Sequence, residues 1–150
     1  MVKDLRSIDF TVESNRKKYE EEFEKVVEKI LTELGMQAES AAKKLCPVDT
    51  GLLRNSITWA IAGESANISS YKAQTGSGQG TYSGDSPEVK GQHAVHIGSN
   101  VEYAMVQEVG TIKHKDGFSP FLRPAINNNI EYFKNIIETE LKNAVVDDFK

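Results

Sequence analysis

The sequence predicts an α+β fold in which a long N-terminal helix and a C-terminal helix pack on a small antiparallel β-sheet. A short helix is expected between the sheet and the C-terminal helix. Three observations predict this fold: an apolar stripe with helical spacing early in the chain, alternating apolar and polar residues in its middle, and a second helical stripe near its end. With 150 residues, the chain can bury a core without disulfides or metals.

The first helix is predicted to start near Ser14, a candidate N-cap, and to run as far as Leu45, the last residue of its apolar stripe. It should end there because Pro47 lacks an N–H and disfavours helix in the residue before it. Gly35 lies inside the helix and is expected to weaken or bend it. A helix of this length exceeds the average of about 11–12 residues, so its far end is expected to pack on a neighbouring subunit. Its apolar residues recur at spacings of three and four: Tyr19, Phe23, Val26, Val27, Ile30, Leu31, Leu34, Ala38, Ala41, Ala42 and Leu45.

Two segments have the alternating pattern of half-buried strands. In residues 57–61 the apolar side chains are Ile57, Trp59 and Ile61, which are expected to face the core. In residues 93–98 they are Val95 and Ile97. A weaker strand is expected within residues 65–72, pairing back onto the first.

Residues 74–91 are rich in glycine and serine and predict a flexible loop inserted into the domain. The domain itself is predicted over residues 14–146, between an N-terminal arm of residues 1–13 and a tail of residues 147–150. Within the insertion, the candidate assembly residues are Gln74, Gly76, Gly78, Gly80 and Tyr82.

The last third of the chain predicts two helices. The short one should cover residues 101–109, with Tyr103, Val106 and Val109 facing inward, and end at Gly110. Whether Pro120 or Pro124 begins the final helix is left open, because proline is tolerated in a first turn. The final helix has its apolar stripe at Leu122, Ile126, Ile130, Phe133, Ile137, Leu141 and Val145.

Composition limits the classes of function. The formal net charge of −4 argues against a dedicated nucleic-acid binder, which usually has a basic face. One cysteine, Cys46, excludes an intrachain disulfide and is typical of a small buried apolar residue. His93 and His96 are separated by an odd number along a strand, so they should point to opposite faces and cannot share one metal ion. No signal peptide or membrane-spanning segment is expected.

Asp49-Thr50-Gly51 has the Asp-Thr-Gly triplet of aspartic proteases, in which two such aspartates share a proton. That chemistry needs the triplet on a loop after an apolar strand, but here it follows a helix and a proline. A helix-capping turn, with Asp49 as the cap, is therefore the favoured interpretation. A homodimeric protease remains an alternative hypothesis, as does a nucleic-acid or protein-binding module.

The glycine-rich loop lacks the lysine and the following helix that a phosphate-binding loop requires. The glutamates of residues 20–24 are the solvated face of a helix, and no carboxylate pair is placed in an apolar setting for acid–base work. The sequence thus predicts no catalytic, cofactor-binding or metal site.

Two blocks of residues resemble a family of phage minor tail components found in lambdoid and related siphophages and in prophages. The first is Pro47-Val48-Asp49-Thr50-Gly51-Leu52-Leu53-Arg54-Asn55-Ser56-Ile57, which resembles the segment P-x-D-T-G-x-L-R-x-S-I. The second contains Gly98, Tyr103, Ala104, Glu108, Gly110, Thr111, Pro120, Phe121, Leu122, Arg123, Pro124 and Ala125. The long insertion and valine at position 109, where an aromatic residue is common, depart from the family pattern.

The resemblance implies a structural virion protein of the neck, which completes the tail and joins it to the head. Such a subunit would form a ring, commonly six-fold, and contact connector and tail-tube proteins after assembly in the host cytoplasm. A tail terminator or a head-side connector is the alternative position. DNA would pass through without specific binding, because an acidic wall repels phosphates. No catalytic residue, cofactor or membrane contact is implied.

Two further expectations concern assembly and folding. The insertion and a second loop, with Lys113, His114 and Phe118, are expected to become ordered against neighbouring rings. Arg54 or Arg123 is expected to pair with Glu108, because a charge among apolar residues is costly alone.

Overall fold

The computed structural model describes residues 16–62, 70–75, 78–83, 91–111 and 117–147. In these ranges the chain forms five helices and four strands, and the α+β class is confirmed. The elements in chain order are α1 (Arg16–Leu45), α2 (Leu52–Ser56), β1 (Thr58–Ile61), β2 (Ser70–Thr75), β3 (Gly78–Ser83), β4 (Val95–Gly98), α3 (Ala104–Val109), α4 (Leu122–Asn127) and α5 (Ile130–Asp147).

The predicted long helix is confirmed as α1, which is 30 residues long. The candidate N-cap Ser14 and the arm of residues 1–13 lie outside the described residues. The apolar stripe is buried in its middle, from Ile30 to Ala42, while Tyr19 and Phe23 before it are 58% and 54% exposed and Leu45 after it is 43% exposed. Gly35 does not break the helix: it is buried, and it allows the indole of Trp59 to lie against the helix backbone.

Strands β1 and β4 pair antiparallel, with Trp59 opposite Ile97. As predicted, Val95 and Ile97 are more buried than His96, the strand residue between them. The prediction for β1 was only partly right. Ile57 just before the strand is buried as expected, but Ala60, which alternates with the residues expected to face the core, is also buried. Near its centre, β1 is therefore covered on both faces.

The prediction of an irregular loop over residues 74–91 was wrong for its first part. Strands β2 and β3 form an antiparallel hairpin, with Tyr71 opposite Tyr82 and Gln74 opposite Gln79. Of the weak strand expected over residues 65–72, only residues 70–72 are described, and they pair with β3. Polar and small residues can pair as strands, and these two strands lack the apolar alternation by which a strand is predicted from sequence. Gly78 and Gly80 lie in β3, and Gly76 lies outside the described residues.

The single C-terminal helix that was predicted is two helices, α4 and α5. They are separated at Asn128 and Asn129, whose backbone N–H groups donate to the carbonyls of Pro124 and Ile126. The Asn129 side chain also donates to the Ala125 carbonyl at 2.8 Å, which satisfies a carbonyl at the end of α4. The helical spacing of apolar residues continues across this turn, so periodicity alone could not reveal it. Pro124 lies in the first turn of α4 and Pro120 precedes the helix.

Helix α5 runs back along α1, and Lys29 Nζ contacts Glu140 Oε2 at 2.5 Å. The hydrogen bond and the charge of Glu140 raise the pKa of the Lys29 ammonium above its ordinary value. The main core lies at the C-terminal end of α1, where helices α1 to α4 meet. It consists of Ala42, Cys46, Leu53, Ile57, Ala104, Phe121 and Ala125.

Candidate functional site

The first motif block forms the turn between α1 and β1. Gly51 precedes α2 with φ 80° and ψ 0°, a left-handed conformation that favours glycine. Asp49 is exposed and does not cap the helix, so the predicted cap was wrong. The Thr50 hydroxyl accepts a long hydrogen bond from the Leu52 N–H, 3.4 Å between N and Oγ1. Leu53 is buried in the core, which explains why this position must be apolar.

Ser56, at the end of the first block, connects it to the second. Ser56 is 1% exposed, and its hydroxyl donates to the Leu53 carbonyl at 2.7 Å. The Ser56 and Ser99 oxygens are 2.6 Å apart, so the Ser99 hydroxyl is left as the donor between them. Ser99 Oγ in turn accepts the Val101 N–H at 3.2 Å. This chain of bonds fixes the segment that leads into α3 against α2.

Glu108 is the central polar group of the second block. Its Oε2 accepts the N–H groups of Phe121 and Leu122 at 2.8 and 2.9 Å, and its Oε1 accepts the Arg123 N–H at 2.9 Å. These three donors belong to the start of α4, where backbone N–H groups have no partner within the helix. The glutamate of α3 therefore caps α4 from another element, and its negative charge also suits the helix dipole.

The predicted pairing of Glu108 with an arginine is only a minor part of this site. Arg123 Nε lies 4.0 Å from Glu108 Oε1, and its side chain is 70% exposed. Arg54 is exposed and contacts the groove near Cys46. Burial alone would raise the pKa of the Glu108 carboxyl, but the three backbone donors, with a smaller effect of Arg123, hold that pKa below its ordinary value.

Helix α3 turns an apolar face to solvent, contrary to the prediction that Tyr103, Val106 and Val109 face inward. The residues it buries are Ala104 and Glu108. Gly110 ends the helix as predicted, with its N–H donating to the Val106 carbonyl at 2.8 Å. The segment that contains Phe118 lies beside α3, because the Ser119 N–H donates to the Gln107 carbonyl at 3.2 Å. We name the exposed apolar residues of both segments the α3 surface: Tyr103 (45% exposed), Met105 (73%), Val106 (40%), Val109 (41%) and Phe118 (42%).

Where the structure describes them, the residues that suggested chemistry are not assembled into a reactive group. Cys46 is buried in the core, and burial raises the pKa of its thiol, an effect that Arg54 only partly offsets. His93 Nδ1 lies 3.6 Å from Glu24 Oε2, while His96 is on the exposed side of β4. Across the described part of the chain, no three His, Cys, Asp or Glu side chains are close enough to hold a metal ion.

Some predicted site residues cannot be placed. Lys113 and His114 fall outside the described ranges, although Phe118, which follows them, is exposed. Thr111 is exposed, and Pro120 precedes α4. Searching the described helices for one long and apolar enough to cross a membrane finds none.

Comparison with known proteins places this geometry in a family. No curated protein and no solved structure matches the chain. Residues 11–110 match the family described as "Bacteriophage HK97-gp10, putative tail-component". The matched range contains the first motif block and the second as far as Gly110, whereas Thr111 and residues 120–125 lie beyond it. The chain therefore belongs to the HK97-gp10-like family of bacteriophage tail components.

Proposed function

We propose that the chain is a non-catalytic subunit of a ring in the neck of the virion, where it completes the tail and joins it to the head. The observation that carries this proposal is the α3 surface, which exposes five large apolar side chains beside a core that is complete without them. In a protein of a tail-component family, such a surface suits contact with a neighbouring component of the particle.

The size of the α3 surface fits this purpose. From the exposed fractions of its residues, it presents on the order of 400 Å² of apolar area, within the range of the largest patches on monomers, which are often functional. Aromatic residues and methionine, three of its five members, are also enriched in the cores of protein interfaces.

The motif residues hold the α3 surface rigidly. Glu108 ties α3 to the start of α4, and Ser56 with Ser99 ties its leading segment to α2. A preorganised surface loses less conformational entropy when it binds. In this proposal, the motif is the frame of a contact surface and not a set of reacting groups.

Two properties favour a ring around DNA. Besides the surface that meets a neighbouring component, a closed ring needs two different surfaces between its subunits, and the chain exposes one candidate at Tyr19 and Phe23, near the N-terminal end of α1. The net charge of −4 suits a wall along which DNA slides without being held. A tail terminator or a head-side connector is the second candidate position, because it needs the same surfaces.

The test is complementation of a phage that lacks this gene. Met105→Asp and Val109→Asp each place a charge in the α3 surface, and Tyr132→Asp places one at a comparably exposed site on α5. We expect unjoined heads and tails by electron microscopy for the first two variants and normal particles for the third. Wild-type numbers of joined particles with a charged α3 surface would contradict the proposal.

A further inference from the structure

A groove lies beside the C-terminal end of α1. It has a volume of about 560 Å³, and its walls include Met36, Glu39, Lys43, Lys44, Val48 and Arg54. Two of its lining residues, Met36 and Val48, are apolar and are 51% and 54% exposed, so the groove presents apolar surface to solvent. We name it the basic groove.

The basic groove has a surplus of positive charge. Lys43 Nζ is paired with Glu39 one turn away on the same helix. Neither Lys44 nor Arg54 forms an ion pair with any residue that the structure describes, which leaves two cations beside the apolar lining residues. A ligand that is complementary to the basic groove would present an apolar side chain flanked by carboxylates.

The chain itself carries such a segment at the opposite end of α1. Tyr19 and Phe23 are spaced by four residues, share one face of the helix and are more than half exposed. Glu20 and Glu22 lie on either side of this face at about 100° per residue. We name residues 19–23 the acidic aromatic segment.

The two glutamates are available to a partner. Glu20 pairs with Arg16 at 2.7 Å and Glu22 with Lys18 at 3.8 Å, but both pairs are exposed and span four residues of one helix. Pairs of this kind contribute little to stability, so exchanging them for intermolecular pairs costs little.

A chain cannot fill its own basic groove. Phe23 and Lys43 are twenty residues apart on one continuous helix, which corresponds to roughly 30 Å at 1.5 Å per residue. The acidic aromatic segment that reaches a basic groove must therefore come from another molecule.

We propose that the basic groove binds the acidic aromatic segment of a second copy of this chain. The contact joins different surfaces of the two copies, which is the arrangement that generates rings. Tyr19 and Phe23 would be anchors on a rigid helix, and Lys44 and Arg54 would orient them by charge. This contact would join neighbouring subunits of the proposed ring. The inference rests on the proposed function only for the place of the contact in the virion.

Zero-length carbodiimide crosslinking tests the contact on the purified full-length protein. An equal mixture of ¹⁵N-labelled and unlabelled chains, at high concentration, distinguishes links between molecules from links within one. We expect mixed-label crosslinked peptides that join Glu20 or Glu22 to Lys43 or Lys44. Crosslinks that avoid both surfaces, or an absence of links between molecules, would overturn the proposal.

Charge reversal tests it independently by sedimentation. Glu20→Lys and Arg54→Glu should each weaken self-association at least about tenfold at 0.15 M salt, and the double variant should recover most of the loss. Glu21→Lys is the matched control, because this exposed glutamate lies on the far side of the helix from Phe23. Equal behaviour of Glu20→Lys and Glu21→Lys counts against the contact.

Two other outcomes separate this contact from the proposed neck ring and from DNA binding. Two copies that exchange segments reciprocally would form a closed dimer with the same crosslinks, which upholds the contact and contradicts the ring. If Arg54→Glu abolishes a gel shift of duplex DNA but leaves self-association unchanged, the basic groove binds DNA phosphates and the inference is wrong.

Discussion

Gly35 and Trp59 are in a contact that no other residue at position 35 would permit. A Cβ atom placed on Gly35 would lie 2.5 Å from Cε3 of the indole and 2.9 Å from its Cγ. Because the ring lies against α1 at this point, the glycine sets the distance between the helix and β1.

We therefore expect Gly35→Ala to destabilise the protein by about 1–3 kcal/mol, although alanine is favoured over glycine in helices by up to about 1 kcal/mol. Urea unfolding gives the change in free energy, with Ser40→Ala at an exposed position of the same helix as the control. In a Trp59→Leu background the penalty should shrink, because the clashing ring is gone. An equal penalty in both backgrounds would show that the indole is not its cause.

Glu108→Gln should lower the free energy of unfolding by about 2 kcal/mol. The amide keeps one acceptor oxygen, but its NH₂ group faces a backbone N–H that previously donated to a carboxylate. The neighbouring exposed carboxylate provides the control, and Glu102→Gln should change stability by no more than about 0.5 kcal/mol. If the two variants are equally stable, the cap is not important for folding.

The stability contributed by Glu108 should depend on pH. Its pKa in the folded protein lies below the ordinary value of 4.5, so the unfolded chain binds the proton more tightly. The contribution is fully present above pH 4.5 and is lost as the pH falls through the folded-state pKa. The difference in unfolding free energy between wild type and Glu108→Gln should therefore narrow from about pH 6 to about pH 3. A difference that stays constant over this range would falsify the assignment.

The sequence predicted the elements better than their orientation. The apolar stripe and Pro47 predicted α1 and its end at Leu45. A helix of six residues is too short for periodicity to decide which side is buried, so Tyr103, Val106 and Val109 were assigned to the core. The structure instead buries Ala104 and Glu108, since the small side chain and the capping carboxylate meet α2 and α4 there.

The capping role of Glu108 could not be predicted from the sequence for a related reason. A buried carboxylate suggested a cationic side chain as partner, and two arginines were available. Its actual partners are backbone N–H groups 13 to 15 residues away, and every residue except proline carries such a group. Residue types along the sequence therefore do not indicate which backbone N–H groups a carboxylate will bind. That information comes from the fold, which places α3 beside the start of α4.

Ser56 offers a test of whether the two motif blocks depend on each other. Ser56→Ala removes the bond to the Leu53 carbonyl and the bond to Ser99 in a site that is 1% exposed. We expect a loss of about 1–2 kcal/mol in unfolding free energy, because a buried carbonyl loses its donor.

Ser99→Ala should cost part of the same energy, and the double variant should cost less than the two single variants together, since they share one bond. Ser119→Ala, at an exposed position, is the control. Strict additivity of Ser56→Ala and Ser99→Ala would mean that the blocks are stabilised separately, and the frame behind the α3 surface would then rest on Glu108 alone.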